Sequence, residues 1–139
     1  FEYGLRFKAE LKGELCMRSM VKEWSEKNDM ERWKAVSELR TIGRPAVEYL
    51  VINLWDSDKR VRMAAVDALG AIGDQRAYDH LVKMLDDPDH DVRFASVIAL
   101  GKLGDMRAVE PLSRACHDPN CYVRTIAAET LEKFRLQIS

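Results

Sequence analysis

Two consecutive stretches decide the fold: "DKRVRMAAVDALGAIGDQRAYDHLVKMLDDP" (58–88) and "DHDVRFASVIALGKLGDMRAVEPLSRACHDP" (89–119). They align without a gap, so the chain repeats with a unit of 31 residues. The repetition extends to three columns of like residues that recur one unit apart: Val61, Val92 and Val123; Arg62, Arg93 and Arg124; Leu69, Leu100 and Leu131. A fixed period of this length is typical of proteins in which each copy packs on its neighbours.

A weaker copy precedes these stretches and a partial copy follows them. "ERWKAVSELRTIGRPAVEYLVINLWDS" (31–57) fits the same columns with one residue missing at its inner turn, and the final copy holds one helix. Residues 5–24 place apolar side chains at helical intervals, which predicts an N-terminal helix that caps the first repeat. We therefore divide the single domain 1–139 into a capping helix, three repeats and a half repeat: 1–28; 29–57, 58–88 and 89–119; 120–139.

Each unit is predicted to contain two helices. In the unit 58–88, apolar residues recur at spacings of three and four, which places them on one face of a helix. Gly73 can end the first helix in a left-handed conformation, and Asp74 can cap the second. The second helix ends at Asp87-Pro88, because a proline disfavours the helical conformation of the residue before it. Since one pair cannot bury its apolar face alone, the pattern predicts an all-α, right-handed α-solenoid.

The repeated segments "VRMAAVDALGAIGD" (61–74) and "VRFASVIALGKLGD" (92–105) resemble the HEAT-like repeats named for phycobilisome (PBS) bilin lyases. Asp87 and Asp118, which close the second helices, belong to the same resemblance. The resemblance implies a helical solenoid. It implies little about activity, because similar repeats occur in scaffolds, lyase subunits and hydroxylases.

The composition is that of an ordinary folded domain, with 47% hydrophobic and 32% charged residues. The net charge of −1 gives no overall attraction to nucleic acid or to an anionic membrane. No apolar run approaches the roughly 18 residues that span a bilayer, and the N-terminus lacks the pattern of a signal peptide. Three cysteines fit free thiols in a reducing compartment better than a disulfide framework. We therefore expect a cytoplasmic protein without membrane contact.

The repeated arginines and aspartates have two interpretations. They could form a basic ladder for phosphate or for acidic peptides. Alternatively, each arginine bonds an aspartate or helix-end carbonyls across a joint between repeats, using its planar guanidinium. Because they recur in every unit, we favour the structural role for all six: Arg62, Arg93 and Arg124 with Asp56, Asp87 and Asp118.

The first copy breaks its columns on the second helix. Ile52 and Trp55 stand where the other copies have polar residues, and Tyr49 is one turn away. If the second helices line the concave side, these residues begin a partner-binding patch, since aromatic residues are favoured interface anchors. Lys83 and Arg114 share a column on the same face and would extend the patch. The alternative is that the N-terminal helix covers the patch through Trp24 or Met20.

Metal and catalytic constellations are weakly supported. The stretch "CHDPNC" (116–121) looks like a metal site, but it aligns with "LDDPDH" (85–90) at the joint between repeats. His90 and His117 fall in different columns, whereas a di-iron hydroxylase needs converging imidazoles and carboxylates. We expect no catalytic residue, metal or cofactor, and an accessible thiol at Cys121.

The sequence therefore favours a scaffold that binds another protein on the concave face of a short solenoid. An enzyme subunit of the bilin-lyase type is the main alternative, and its relatives imply a chromophore delivered to a partner's cysteine. Nucleic-acid binding is disfavoured, because Asp79, Asp86 and Glu110 interrupt the column of Lys83 and Arg114. A metal hydroxylase is the least favoured of these alternatives.

Overall fold

The computed structural model describes residues 32–138, which form seven α-helices and no strand, so the predicted all-α class is confirmed. The predicted helix at 5–24 lies outside the described residues. The helices are α1 (Arg32–Glu38), α2 (Val47–Asn53), α3 (Lys59–Ile72), α4 (Tyr78–Met84), α5 (His90–Leu103), α6 (Val109–Ala115) and α7 (Cys121–Ile138). Single 3₁₀ turns lie at Leu39–Thr41, Arg44–Ala46, Gln75–Ala77 and Met106–Ala108. None of the helices in this range is long and apolar enough to cross a membrane.

The long helices begin and end as the sequence predicts. The Asp89 carboxylate accepts a hydrogen bond from the Asp91 N–H at 2.8 Å, which satisfies one of the free N–H groups at the start of α5. Gly73 and Gly104 end α3 and α5 with φ of 73° and 72°, a left-handed conformation that glycine adopts without steric cost. These stops force the chain to turn at the same place in successive copies.

Two of the short helices, α4 and α6, start from an equally regular turn, whereas the turn before α2 has Gly43 at its start and no side-chain cap. Asp74 accepts a hydrogen bond from the Arg76 N–H at 2.9 Å, and its carboxylate also pairs with the Arg76 guanidinium at 2.9 Å. That guanidinium holds the pKa of Asp74 at about 2 through its side-chain hydrogen bond, so the cap is charged at neutral pH. Asp105 and Arg107 repeat this arrangement one unit later.

The long helices form one closely packed layer. A Cβ added to Gly70 of α3 would lie 2.8 Å from the backbone Cα of Ala99 in α5. A Cβ added to Gly101 of α5 would lie 2.9 Å from Thr130 Cγ2 in α7. Glycine at this column therefore lets neighbouring long helices approach more closely than a larger residue would permit. The short helices α2, α4 and α6 make far fewer close backbone approaches to one another.

The closest antiparallel pairs join each short helix to the long helix that follows it: α2 with α3, α4 with α5, and α6 with α7. We expected the pair to run from a long helix to the next short one. A period shows how long the unit is but not where it starts, which explains the difference. α7 lies close to α6 in the same way, and the division of the chain into repeats, with a half repeat at 120–139, stays a prediction.

The core lies between the two layers. Its centre consists of leucines in repeated columns, all with no exposed surface: Leu50, Leu81 and Leu112 from the short helices, and Leu69 and Leu100 from the long ones. Burying one such side chain stabilises the fold by about 1.5–3 kcal/mol. All five belong to one cluster of buried residues that extends from Val36 in α1 to Phe134 in α7, so the core runs continuously along the stack.

Candidate functional site

A ladder of ion pairs joins successive helix pairs. Arg62 donates from Nε to Asp87 Oδ2 at 2.9 Å and from Nη2 to Asp87 Oδ1 at 3.2 Å. Arg93 makes the same two bonds to Asp118, at 2.9 and 3.2 Å. The side chains of these four residues are between 4% and 15% exposed, so the pairs are well shielded from solvent. Their stabilising role, which we predicted from the sequence, stays a prediction that mutation can test.

The same arginines also donate hydrogen bonds to backbone carbonyls at each joint. Arg62 Nη1 donates to the carbonyl of Asp56 at 2.8 Å, and Arg93 Nη1 donates to that of Asp87 at 2.8 Å. The first rung is less complete, because among the described residues Arg32 makes one bond to Asp56, at 2.9 Å, and its buried Nε has no partner there.

The predicted partner-binding patch is divided between exposed and buried positions. Ile52 and Trp55 are 64% and 61% exposed, which is unusual for large apolar side chains. Lys83 and Arg114 are also exposed, and neither forms an ion pair within residues 32–138. Their part in binding stays a prediction. The alternative cover by Trp24 or Met20 involves residues outside the described range.

Tyr49 is a correction to the predicted patch. We expected it beside Ile52 on the solvent face, but it is only 7% exposed and belongs to the hydrophobic core. The equivalent positions of the other repeats also face partly toward the core: Pro111 is buried and His80 is half-buried. A residue one turn from an exposed position can still face the core when it lies at the edge of the helix face.

A shallow cleft borders Trp55. It has a volume of about 390 Å³ and lies between the ends of α2 and α4. Trp55 and Pro88 supply apolar surface, while Lys83 and Asp86 supply opposite charges at the opening. The Arg62–Asp87 ion pair also lines the cleft, so its wall is fixed by the ladder.

The spacing of the helices within each layer indicates which layer lies on the concave side. In a curved stack, the layer whose elements lie closer together is on the inner side. Because α3 and α5 are in backbone contact at Gly70, while the short helices are more widely separated, we infer that the long helices form the inner layer. The expectation that the second, short helices line the concave side stays a prediction, and distances along the two layers can test it.

The solvent side of the long helices carries an apolar row. Trp33, Met63 and Phe94 occupy one column in α1, α3 and α5, successive helices of the layer that contains the long helices, and all three are half-buried against the core. Ile98, one turn after Phe94, is also half-buried, and Tyr122 at the start of α7 is 71% exposed. The row therefore crosses α1, α3, α5 and α7 almost at right angles to the helices.

Two clefts separate the members of this row. One of about 250 Å³ lies between α1 and α3 and is lined by Trp33 and Met63 with Arg60 and Asp67. A second, of about 290 Å³, lies between the first turns of α5 and α7. Its lining combines aromatic and polar side chains: Phe94, Tyr122, His90, Asp91 and Asn120. Each cleft could accept one side chain of a partner.

The first turn of α5 brings three potential metal ligands together. Ligand atoms of Asp89, His90 and Asp91 lie within 4.8 Å of one another. Lys59 already pairs with both carboxylates, at 3.4 Å to Asp89 and 3.2 Å to Asp91. His117 lies at the end of another helix, with Nδ1 3.2 Å from the Ser113 carbonyl oxygen. Both carboxylates of this cluster thus have a lysine partner, and the absence of a metal site stays a prediction.

Comparison with protein families is decisive for the fold. The family model described as HEAT repeats matches residues 19–101 and 83–138, which is most of the chain. The chain belongs to the HEAT-repeat family. No curated protein matches it. The PBS-lyase type suggested by the sequence stays a prediction.

HEAT repeats commonly serve as protein-interaction scaffolds, which agrees with the general function favoured from the sequence. The row on the long helices was missed by our sequence reasoning, and a signal for it was present. Trp33, Met63 and Phe94 are three large apolar residues in one column, whereas the fourth copy has Thr125 there. Our sequence analysis followed the apolar residues that form one helix face and did not weigh this column, because the period alone does not distinguish the core-facing columns from an adjacent half-exposed one.

Proposed function

We propose that this HEAT-repeat protein binds a segment of another protein across the solvent face of its long helices. The observation that carries the proposal is the row of Trp33, Met63 and Phe94, which is half-exposed at the same column of three neighbouring helices. Large apolar and aromatic side chains in a contiguous row are typical of interaction surfaces.

The partner segment would lie across the helices rather than along one of them. Neighbouring helix axes are about 8–10 Å apart, so the path from α1 to α7 is roughly 24–30 Å long. About eight residues of extended chain cover that distance. Apolar side chains of the segment would enter the two clefts, at Trp33–Met63 and at Phe94–Tyr122, and would supply most of the binding free energy.

The charges around the row favour a polypeptide over nucleic acid. Exposed or half-exposed residues of both signs alternate along the long helices, including Arg60, Asp67, Asp91, Lys102 and Glu129. A phosphate backbone needs an uninterrupted basic path, which these carboxylates break. A peptide with both charges can pair with such a rim, where each exposed pair contributes little affinity but helps to fix the register.

Peptide selection tests the proposal even though the natural partner is unidentified. A displayed library of 12-residue peptides would be selected on the immobilised protein, and the affinity of each binder would then be measured on variants. Phe94→Ser and Met63→Ser alter the long-helix row, while Trp55→Ser is a matched control on an exposed aromatic residue of the other layer. Circular dichroism would show that each variant is folded.

We expect the two row variants to weaken the selected peptides by about tenfold or more, since truncating an interface anchor costs over 1 kcal/mol. Trp55→Ser should leave the affinity unchanged. The proposal is overturned if the selected peptides bind the row variants normally. Loss of binding on Trp55→Ser alone would instead assign the function to the surface of the short helices.

That surface is the second candidate. Ile52 and Trp55 are exposed beside a cleft whose opening carries Lys83, and Arg114 lies in the same column one repeat further on. A partner segment with an apolar residue followed by acidic residues would fit this order. The same selection experiment discriminates the two surfaces, because its variants are drawn from both.

A further inference from the structure

One carboxylate in the cleft between α1 and α3 has no cationic partner in the described part of the chain. Asp67 lines this cleft together with Trp33 and Met63, the first two members of the apolar row. Within residues 32–138 the Asp67 side chain forms no ion pair and accepts no hydrogen bond, and it is exposed. By contrast, the Asp58 carboxylate at the start of the same helix pairs with an arginine at 2.9 Å.

The walls of the cleft disfavour the charged form of this carboxylate. Partial removal of water raises the pKa of Asp67 above its ordinary value of 3.8, although the carboxylate stays accessible at the mouth of the cleft. The charges of Lys102 and Arg40 oppose this shift, but neither group is close enough to form an ion pair. A carboxylate in such surroundings gains more from a directly bound cation than a fully solvated one does, because the lower dielectric strengthens the attraction.

The two ends of the cleft carry opposite charges. Arg60 lines the cleft seven residues before Asp67, which is about 10 Å along α3. The Arg60 guanidinium pairs with the Asp58 carboxylate at 2.9 Å, so its charge is already compensated. A cationic side chain would therefore enter at the Asp67 end, where Trp33 and Met63 provide apolar surface for its alkyl part.

We infer that Asp67 binds an arginine side chain of the partner segment, with the guanidinium lying against the Trp33 side chain. A guanidinium can form two parallel hydrogen bonds with a carboxylate and also contact an indole, whereas a lysine ammonium is a compact point charge. The Lys34 ammonium lies 5.9 Å from the centroid of the Trp33 ring, at the outer limit of such a contact. Ser37 and Ile98 stand at the position of Asp67 in the neighbouring helices, so the arginine would fix the register of the segment.

This inference rests on the proposed binding of a segment along the row, and NMR titration of the whole 139-residue protein tests it. The readout is the indole N–H resonance of Trp33. The probes are N-acetylarginine amide and N-acetylcitrulline amide, which has a similar shape and no charge. Asp67→Asn removes the charge of the carboxylate, and Glu129→Gln is the matched control, because Glu129 is exposed in the same column of α7 and lies outside the cleft.

We expect N-acetylarginine amide to shift the Trp33 resonance saturably, with a Kd in the millimolar range. Replacing the probe by the citrulline amide, or the protein by Asp67→Asn, should weaken binding about fivefold or more, while Glu129→Gln should change it less than about twofold. The inference is overturned if no saturable shift occurs below about 100 mM, or if both variants weaken binding equally.

The peptide selection separates failure of this inference from failure of the proposed function. We expect the selected peptides to share an arginine and to lose affinity for Asp67→Asn. Peptides that depend on Phe94 and Met63 but bind Asp67→Asn normally would overturn the inference and leave the proposed function standing. Peptides that ignore the row would overturn the proposed function, and with it the assignment of the arginine to a segment along the row.

Discussion

The two helix layers of this protein are built from the same repeat but are held together differently. The long helices α3, α5 and α7 approach through glycine, alanine and threonine, so that backbone or small side chains are in contact at Gly70 and Gly101. The short helices α2, α4 and α6 are farther apart, and arginine–aspartate pairs such as Arg62–Asp87 connect the end of a short helix to the long helix of the preceding pair. Close contact between the long helices therefore sets the spacing of the repeats, while ion pairs fasten the ends of the short helices to the neighbouring pair.

Breaking the ladder should have the largest effect. We expect Arg93→Met to lower the free energy of unfolding by about 3 kcal/mol, because the Asp118 carboxylate is then left shielded without its partner. Arg124→Met is the matched control, and we expect a loss below about 1 kcal/mol, since that arginine is exposed and has no carboxylate partner in the described range. Urea titration of both variants gives the comparison. Equal losses of unfolding free energy would show that the arginine–carbonyl hydrogen bonds, rather than the ion pair, provide the stabilisation.

Filling the close contact in the long-helix layer should have the next largest effect. Gly70→Ala places a methyl group 2.8 Å from the Ala99 backbone, so we expect a loss of about 2 kcal/mol, measured by urea unfolding. Gly101→Ala is the control. It meets the end of the Thr130 side chain, which can rotate, and the gain in helix propensity of about 1 kcal/mol offsets the strain. If both variants are equally stable, the layer is less tightly packed than the Gly70 contact indicates.

The sequence predicted the ends of the helices better than it predicted which helices pack together. The helix ends at Gly73 and Gly104 and the caps at Asp74 and Asp89 were predictable, because they depend on residues adjacent in the chain. The pairing of α6 with α7 was not, since a period does not reveal which neighbouring helix lies closer.

The candidate site was predicted only in part. The exposure of Ile52 and Trp55 followed from polar residues in the same columns of other copies. The burial of Tyr49 did not follow, because a column at the edge of a helix face can turn either way with a small change in packing. The inferred inner position of the long helices depends on interhelical distances, which no single column encodes.

The charged turns before the short helices α4 and α6 should contribute a smaller, pH-dependent effect. Asp74→Ala removes a cap and should cost about 1 kcal/mol at pH 7. The pKa of Asp74 is about 2 in the folded protein, below its ordinary value of 3.8, so its carboxylate stabilises the fold above about pH 4. This contribution is lost as the pH falls toward 2. The difference between wild type and variant, followed by thermal unfolding, should therefore narrow in acid; a constant difference would contradict the assigned charge.

The exposed residues of the short-helix layer should affect stability least. We expect Ile52→Ser and Trp55→Ser to change the free energy of unfolding by no more than about 0.5 kcal/mol. Leu50→Ala in the same helix is the buried control, with an expected loss of about 3 kcal/mol. A large loss on Trp55→Ser in a denaturant titration would indicate that this side chain is covered by another part of the chain, as the alternative with Trp24 or Met20 supposes.

The position of the long helices on the inner, concave side of the stack can be tested by interlabel distances. In a variant lacking the native cysteines, spin labels at Asp67 and Glu129 report two repeat steps along the long helices, and labels at Ile52 and Arg114 report the same two steps along the short ones. Double electron–electron resonance spectroscopy should give a mean distance of about 16–20 Å for the first pair of labels and a longer distance for the second pair. Equal distances, or a shorter distance between the labels on the short helices, would contradict this curvature.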